Sequence, residues 1–212
     1  MHNNINKCLA LEIFRYIIMP MRLKWFLAWI LIYPLFKLLT GVKIEGRIPK
    51  TGPVILAPNH VSFLDPPLVG ITACREIHFL AKPGLFTQSK FFTWLITTYN
   101  AISIEGTAGV RKAIKLLRKG SAVVIFPEGT RSRVHAILPF HEGVGYLAVN
   151  FGIPVVPIYI TNSNKRVVSL ILRINELKIK FGKIIHPHGY KKTRKDFARF
   201  AERVREEVLR LK

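Results

Sequence analysis

The chain has 212 residues, enough for one sizeable core, and carries 33 Lys and Arg against 12 Asp and Glu, a formal charge of +21 with a pI near 10.4. Half of the residues are hydrophobic and the mean hydropathy is +0.25, so the basic surface suits anionic lipid better than nucleic acid, for which neither an aromatic RNP-like block nor a recognition-helix pattern is present. Cys8 and Cys74 stand alone, without CxxC spacing or a neighbouring His cluster, which argues against a disulfide framework or a zinc site.

Residues 9 to 40 are the most apolar region, interrupted by Glu12, Arg15, Arg22, Lys24 and Lys37. The longest uncharged run, Trp25 to Phe36, has 12 residues and contains Pro34. A spanning helix needs about 20 apolar residues, so the pattern favours two short helices broken near Pro20, with Trp25, Trp29 and flanking cations holding residues 1–40 in a membrane interface. A buried helical hairpin and a tilted span are the alternatives.

After Thr40-Gly41 the texture changes to alternating strands and helices, which reads as one domain over residues 41–212. Val42 to Gly46 is extended, Val54 to Ala57 is a buried strand, Pro66 to about Ala73 a helix and Ile77 to Ala81 a strand. Leu85 to Thr98 reads as a helix apolar on most sides, Ala101 to Ile104 as a strand, and Gly106 to Lys119 as an amphipathic helix stopped by Gly120. Ala122 to Phe126 is the clearest buried strand; a helix from Glu142 to Asn150 leads to the strand Pro154 to Ile160. Val167 to Phe181 reads as a hairpin, and Lys195 to Leu211 as a helix with Phe197, Phe200, Val204, Val208 and Leu211 in one stripe. The alternation predicts an α/β sandwich with its site where loops leave strand ends.

Two such ends carry chemistry. The stretch Asn59-His60-Val61-Ser62-Phe63-Leu64-Asp65-Pro66-Pro67 puts His60 just past a strand and Asp65 before two prolines, a helix N-cap position. Brought together, His60 could act as a general base and Asp65 could fix its tautomer, making a hydroxyl-activating pair. Ser62 lacks the G-x-S-x-G turn of a serine hydrolase. The second stretch, Phe126-Pro127-Glu128-Gly129-Thr130-Arg131-Ser132-Arg133, follows the clearest strand with a tight turn, a carboxylate and two guanidinium groups suited to phosphate oxygens. Lys82 follows a third strand.

The H-x4-D pattern of His60 and Asp65, then F-P-E-G-T-R-S from Phe126 to Ser132, then Val155-Val156-Pro157-Ile158, resembles the ordered blocks of the glycerolipid acyltransferases over roughly residues 40–190. The resemblance implies a mixed α/β sheet flanked by helices, with an N-terminal membrane-binding helical hairpin. It makes His60 the base and Asp65 its partner, with Lys82 and Arg131 gripping an acceptor phosphate and Asn59, Glu128, Gly129 and Thr130 shaping the pocket. The implied reaction moves an acyl chain from a thioester of coenzyme A or acyl carrier protein to the free hydroxyl of a lysophosphatidic acid. Loop donors would steady the oxyanion, and neither metal nor cofactor takes part. The implied setting is the cytoplasmic face of a membrane containing anionic lipids. Two blocks depart from the family: Asn100 to Gly106 replaces G-x-I-F-I-D-R, and Phe140-His141-Glu142-Gly143 replaces F-K-x-G. Each loses a cation, which leaves the acceptor open between lysophosphatidic acid and another lysophospholipid or an amino-acid-derived lysolipid.

Overall fold

In the computed structural model, which describes residues 23–134, 136–165, 167–172 and 174–212, the chain forms β1 (Lys43–Glu45), β2 (Val54–Pro58), β3 (Ile77–Ala81), β4 (Ala101–Ser103), β5 (Ala122–Val124), β6 (Val155–Thr161) and β7 (Lys178–Phe181). These strands join one mixed sheet in the order β1-β7-β6-β2-β5-β3-β4. β2 is central because its apolar run is unbroken: every residue is buried, Val54 and Leu56 in one layer of the core and Ile55 and Ala57 in the other. Ile55 lies between Val123 of β5 and Val155 of β6, both in parallel register. Full burial of such a side chain contributes about 1.5–3 kcal/mol. β3 pairs parallel with β5 and β4, so β6, β2, β5, β3 and β4 all end at one edge; β7, antiparallel to β6, and β1, parallel to β7, run the other way.

The helical run begins with α1 (Leu23–Leu27), widens into a π-helical turn (Ala28–Ile32) and continues as α2 (Tyr33–Thr40). Pro34 lacks an N–H and crowds the preceding turn, which accounts for the widening just before it. Gly41, in the left-handed region at φ 63°, stops the run. The expected break near Pro20 and the first arm of the hairpin lie outside the described residues. Trp25 departs from its expected role as an interface anchor: it is buried, edge-on to Tyr99 at 5.6 Å, and belongs to the same core layer as Val54. Trp29 donates to Cys74 Sγ at 2.9 Å. One face of this helical run is therefore docked on the domain, while Leu23, Leu31, Leu35 and Leu38 stay exposed on the other.

α3 (Asp65–Thr72) packs Leu68 and Val69 into the same layer as Trp25. A short 3-10 turn (Pro83–Thr87) precedes α4 (Lys90–Thr98), which is capped by Ser89 and buries none of its residues. The opposite layer is covered by α5 (Gly106–Arg118), α6 (Gly143–Phe151) and α8 (Arg194–Arg210), the last through Phe200, Ala201, Val204 and Val208. α6 and α8 touch backbone to backbone at Gly145, where a Cβ would stand 1.9 Å from the carbonyl oxygen of Phe197.

The hairpin expected over 167–181 is not formed. Val167–Ile171 is a short helix, α7, and β7 pairs with β6 and β1 instead. The alternation of Leu177, Ile179 and Phe181 marks β7 correctly, but the run before it has no period of two, and so short an apolar run fits helix or strand equally.

Candidate active site

Asp65 is the first residue of α3 rather than its cap, and its carboxylate points back into the preceding loop. The two prolines explain why. A capping side chain takes the N–H groups of the second and third helical residues, but Pro67 has none and Leu68 N already donates to Leu64 O at 2.9 Å. Oδ2 instead accepts from Val61 N and Ser62 N, each at 2.7 Å, and lies 2.7 Å from His60 Nδ1. Oδ1 accepts from Ser163 Oγ at 2.5 Å. The carboxylate is wholly buried and acts only as an acceptor, so Nδ1 carries the hydrogen and Nε2 of His60 keeps its lone pair. His60 remains 17% exposed, open enough to meet a substrate.

The second stretch closes on the first through several contacts. His60 N donates to Glu128 Oε1 at 2.8 Å, Ser132 N donates to His60 O at 2.8 Å, and the His60 ring lies on Phe126 with centroids 4.1 Å apart. The Arg131 guanidinium sits 3.5 Å over the exposed Phe63 ring, a cation–π contact that holds it beside the histidine loop. Glu128 is buried and also accepts from Leu138 N at 3.1 Å. Burial pushes its carboxyl above the ordinary value, opposed by the two backbone N–H groups that favour the charged form. Gly129 is required twice over: its φ is +64°, and a Cβ would come within 2.9 Å of the His141 ring. Thr130 and Arg133 are exposed at the turn.

Asn59 is buried and acts as an extra rung between β2 and β6, taking Ile160 N on Oδ1 at 2.7 Å and giving Nδ2 to Ile160 O at 3.0 Å. Lys82 is exposed at the end of β3, with β5 between it and β2, which sets it about 10 Å from the His60 loop along the strand-spacing direction. The structure thus brings His60, Asp65, Glu128 and Arg131 together and leaves Lys82 on the rim. One expectation is corrected: the amides of His60, Val61 and Ser62 are all committed to buried carboxylates, so they do not serve as oxyanion donors. Ser62 Oγ accepts from Leu64 N at 3.1 Å and shapes the loop.

Fold and site together define an α/β-sandwich protein whose His–carboxylate pair stands at the carboxyl edge of parallel strands, beside a Pro-Glu-Gly turn bearing arginines. The sequence model of the Acyltransferase family matches residues 41–161, more than half of the chain, and the chain belongs to that family. It is 31% identical over 159 residues to a 1-acyl-sn-glycerol-3-phosphate acyltransferase of Borreliella burgdorferi, covering 71% of this chain and 62% of that protein. It is 32% identical over 139 residues to the human 1-acyl-sn-glycerol-3-phosphate acyltransferase beta, covering 58% of this chain and 48% of the human one. The chain therefore spans only about half to three-fifths of these curated relatives. Its fold is similar to the crystal structure of the 1-acyl-sn-glycerophosphate (LPA) acyltransferase PlsC from Thermotoga maritima, with a TM-score of 0.66, 25% identity, and coverage of 95% of this chain and 87% of that one.

Sequence reasoning missed Ser163. It lies 98 residues from Asp65, is 1% exposed, and supplies the only side-chain hydroxyl on the carboxylate among the described residues. Its sole signal is its place just after β6, at the same edge as the other site residues. Ser163→Ala would leave Oδ1 with one donor fewer in a buried setting. The expected result is a loss of about 1.5–3 kcal/mol of stability, the range for a hydrogen bond to a charged group. Thermal melting together with kcat separates that loss from the positioning effect on His60.

Proposed function

We propose that the protein transfers an acyl chain from an acyl thioester, of coenzyme A or acyl carrier protein, to the free sn-2 hydroxyl of a 1-acyl-glycerol-3-phosphate, giving phosphatidic acid. The observation that carries the reading is the 2.7 Å contact of His60 Nδ1 with a fully buried Asp65, which leaves Nε2 as the base. In this reading the acceptor hydroxyl gives its proton to Nε2 as its oxygen attacks the thioester carbonyl. The new imidazolium is held by Asp65. Collapse of the tetrahedral intermediate forms the ester and expels the thiolate, which recovers the proton from His60. No covalent enzyme intermediate, metal or cofactor enters these steps.

The acceptor phosphate falls to Arg131, with Lys82 further along the rim. Gly106 stands where the family pattern carries an arginine, so these cations bear more of the load, and an acceptor without a phosphomonoester, another lysophospholipid or an amino-acid-derived lysolipid, is the second reading. Initial rates on lysophosphatidic acid and on acceptors with uncharged head groups separate the two. Arg131→Ala is expected to raise KM for lysophosphatidic acid about tenfold to a hundredfold, the worth of one lost charge-assisted hydrogen bond, with a smaller effect on kcat. Lys82→Ala shifts KM the same way but less. Equal rates on charged and uncharged acceptors favour the second reading.

The setting in this reading is the cytoplasmic face of the cell membrane, held from one side. The exposed leucines of the Leu23–Leu27 and Tyr33–Thr40 helices support it, and among the described residues no helix is long and apolar enough to cross a membrane.

A further inference from the structure

The segment that was expected to be a hairpin arm leaves an apolar surface uncovered among the described residues. Of α7 and the residues that follow it, Leu170 is 2% exposed and joins the core, whereas Val168, Ile171, Leu172 and Ile174 are 65%, 43%, 63% and 72% exposed. A short helix apolar on its inner and outer sides alike is not the pattern of a helix facing water. Isolated exposed aliphatic residues need no explanation, but these form a group, and the group is not alone. α2 packs against α7, and α2 exposes Leu35 and Leu38 beside it.

We propose that α7, with Leu172 and Ile174 beyond it, forms a second bilayer-inserted element, lying flat in the membrane interface alongside the N-terminal helical run. This rests on the reading that the N-terminal run lies in that interface, and extends it to a segment about 130 residues away along the chain. Two observations choose lipid over a protein partner. The patch is continuous with the exposed face of α2. It is bordered by cations, Lys37 on α2 and Lys165 before α7, in a chain of charge +21. That arrangement complements anionic head groups around an acyl layer. At five residues, α7 is far too short to span, so it can only lie in the plane.

The placement has a catalytic consequence. β6 ends at Thr161, Ser163 holds Asp65, and α7 begins at Val167. A bilayer contact at α7 therefore holds the carboxyl edge of the sheet, with His60, at the surface where a lysolipid acceptor resides.

The test is co-sedimentation of the full chain with vesicles of mixed phosphatidylcholine and phosphatidylglycerol, comparing the parent with Val168→Asp/Ile174→Asp. The expected result is roughly tenfold or greater loss of partitioning, from charging two side chains that would sit among acyl chains. Thermal melting and transfer to a short-chain acceptor dissolved as monomers stay at parental values. Both positions are exposed, so folding is preserved; Val168→Ser/Ile174→Ser repeats the measurement without added charge and is expected to weaken partitioning in the same direction. Unchanged partitioning in both variants overturns the proposal. So does a parent that self-associates in solution through this patch while the variants are monomeric and bind vesicles normally, since a second copy would then be the occupant. If the parent transfers no acyl group at all, the activity reading fails, and vesicle partitioning still decides the role of α7.

Discussion

His60→Ala is expected to lower acyl transfer by about 10²–10⁴-fold, the usual worth of a positioned general base, while the protein stays folded. The second half of that statement follows from the neighbours. Truncating the ring removes one of three donors on Asp65 Oδ2, yet the amides of Val61 and Ser62 and the Ser163 hydroxyl still surround the carboxylate. The buried charge is never left bare. The backbone of residue 60 also keeps its bonds to Glu128 and Ser132, so the two halves of the site stay joined. The expected stability loss is about 1–2 kcal/mol, from one hydrogen bond and the stacking on Phe126. Initial rates of thiol release beside a thermal melt measure both quantities. Normal turnover by a folded His60→Ala protein would contradict the role given to the histidine.

Asp65→Asn should be nearly as damaging to rate and more damaging to stability. Asn has one acceptor oxygen where Asp65 uses two, and the site offers only donors: three converge on Oδ2 and one on Oδ1. With the amide oxygen in the Oδ2 position, its NH2 must face Ser163, whose hydroxyl would have to turn and accept. Flipped, the NH2 would face the amides of Val61 and Ser62 and present a hydrogen to His60 Nδ1, driving the imidazole into the tautomer whose Nε2 cannot accept a proton. The analogous substitution in the Ser-His-Asp template lowers kcat about 10⁴-fold by that route, and a loss of about 10³–10⁴-fold is expected here. Two backbone donors facing an amide would add a stability cost of about 1–3 kcal/mol. A melt and a kcat measurement on the same sample distinguish this from His60→Ala, for which the smaller stability loss is expected.

Much of the fold was legible because alternation of apolar runs is a strong signal. Val54 to Ala57, Ile77 to Ala81 and Ala122 to Val124 are strands, and the stripe from Phe200 to Val208 is the buried face of α8. Where the signal failed, the reason is physical. Trp25 looks the same in sequence whether it anchors in lipid or fills a core, and only the position of Tyr99 decides. The 167–174 run is too short for periodicity to separate helix from strand. The Leu85 to Thr98 run reads as one helix apolar on most sides, yet it divides into the 3-10 turn and α4, and α4 packs chiefly on that turn and β4 and leaves Phe91 and Trp94 exposed. Within the site, the contact of His60 with Asp65 could be required by chemistry before it was seen. That the prolines free Asp65 from capping could have been read from Pro67, which has no N–H to offer. Ser163 and the Phe63–Arg131 contact could not, because neither Ser163 nor Phe63 carries a chemical mark that points to its distant partner.

Acceptor-dependent thiol release tests the central claim most directly. The wild-type protein is given an acyl thioester, of coenzyme A or acyl carrier protein, with and without 1-acyl-glycerol-3-phosphate, and both free thiol and diacyl product are measured. Direct transfer predicts thiol only when the acceptor hydroxyl is present, matched one to one by phosphatidic acid. Thiol release that proceeds equally without acceptor, or an acyl group retained on the protein, would contradict it.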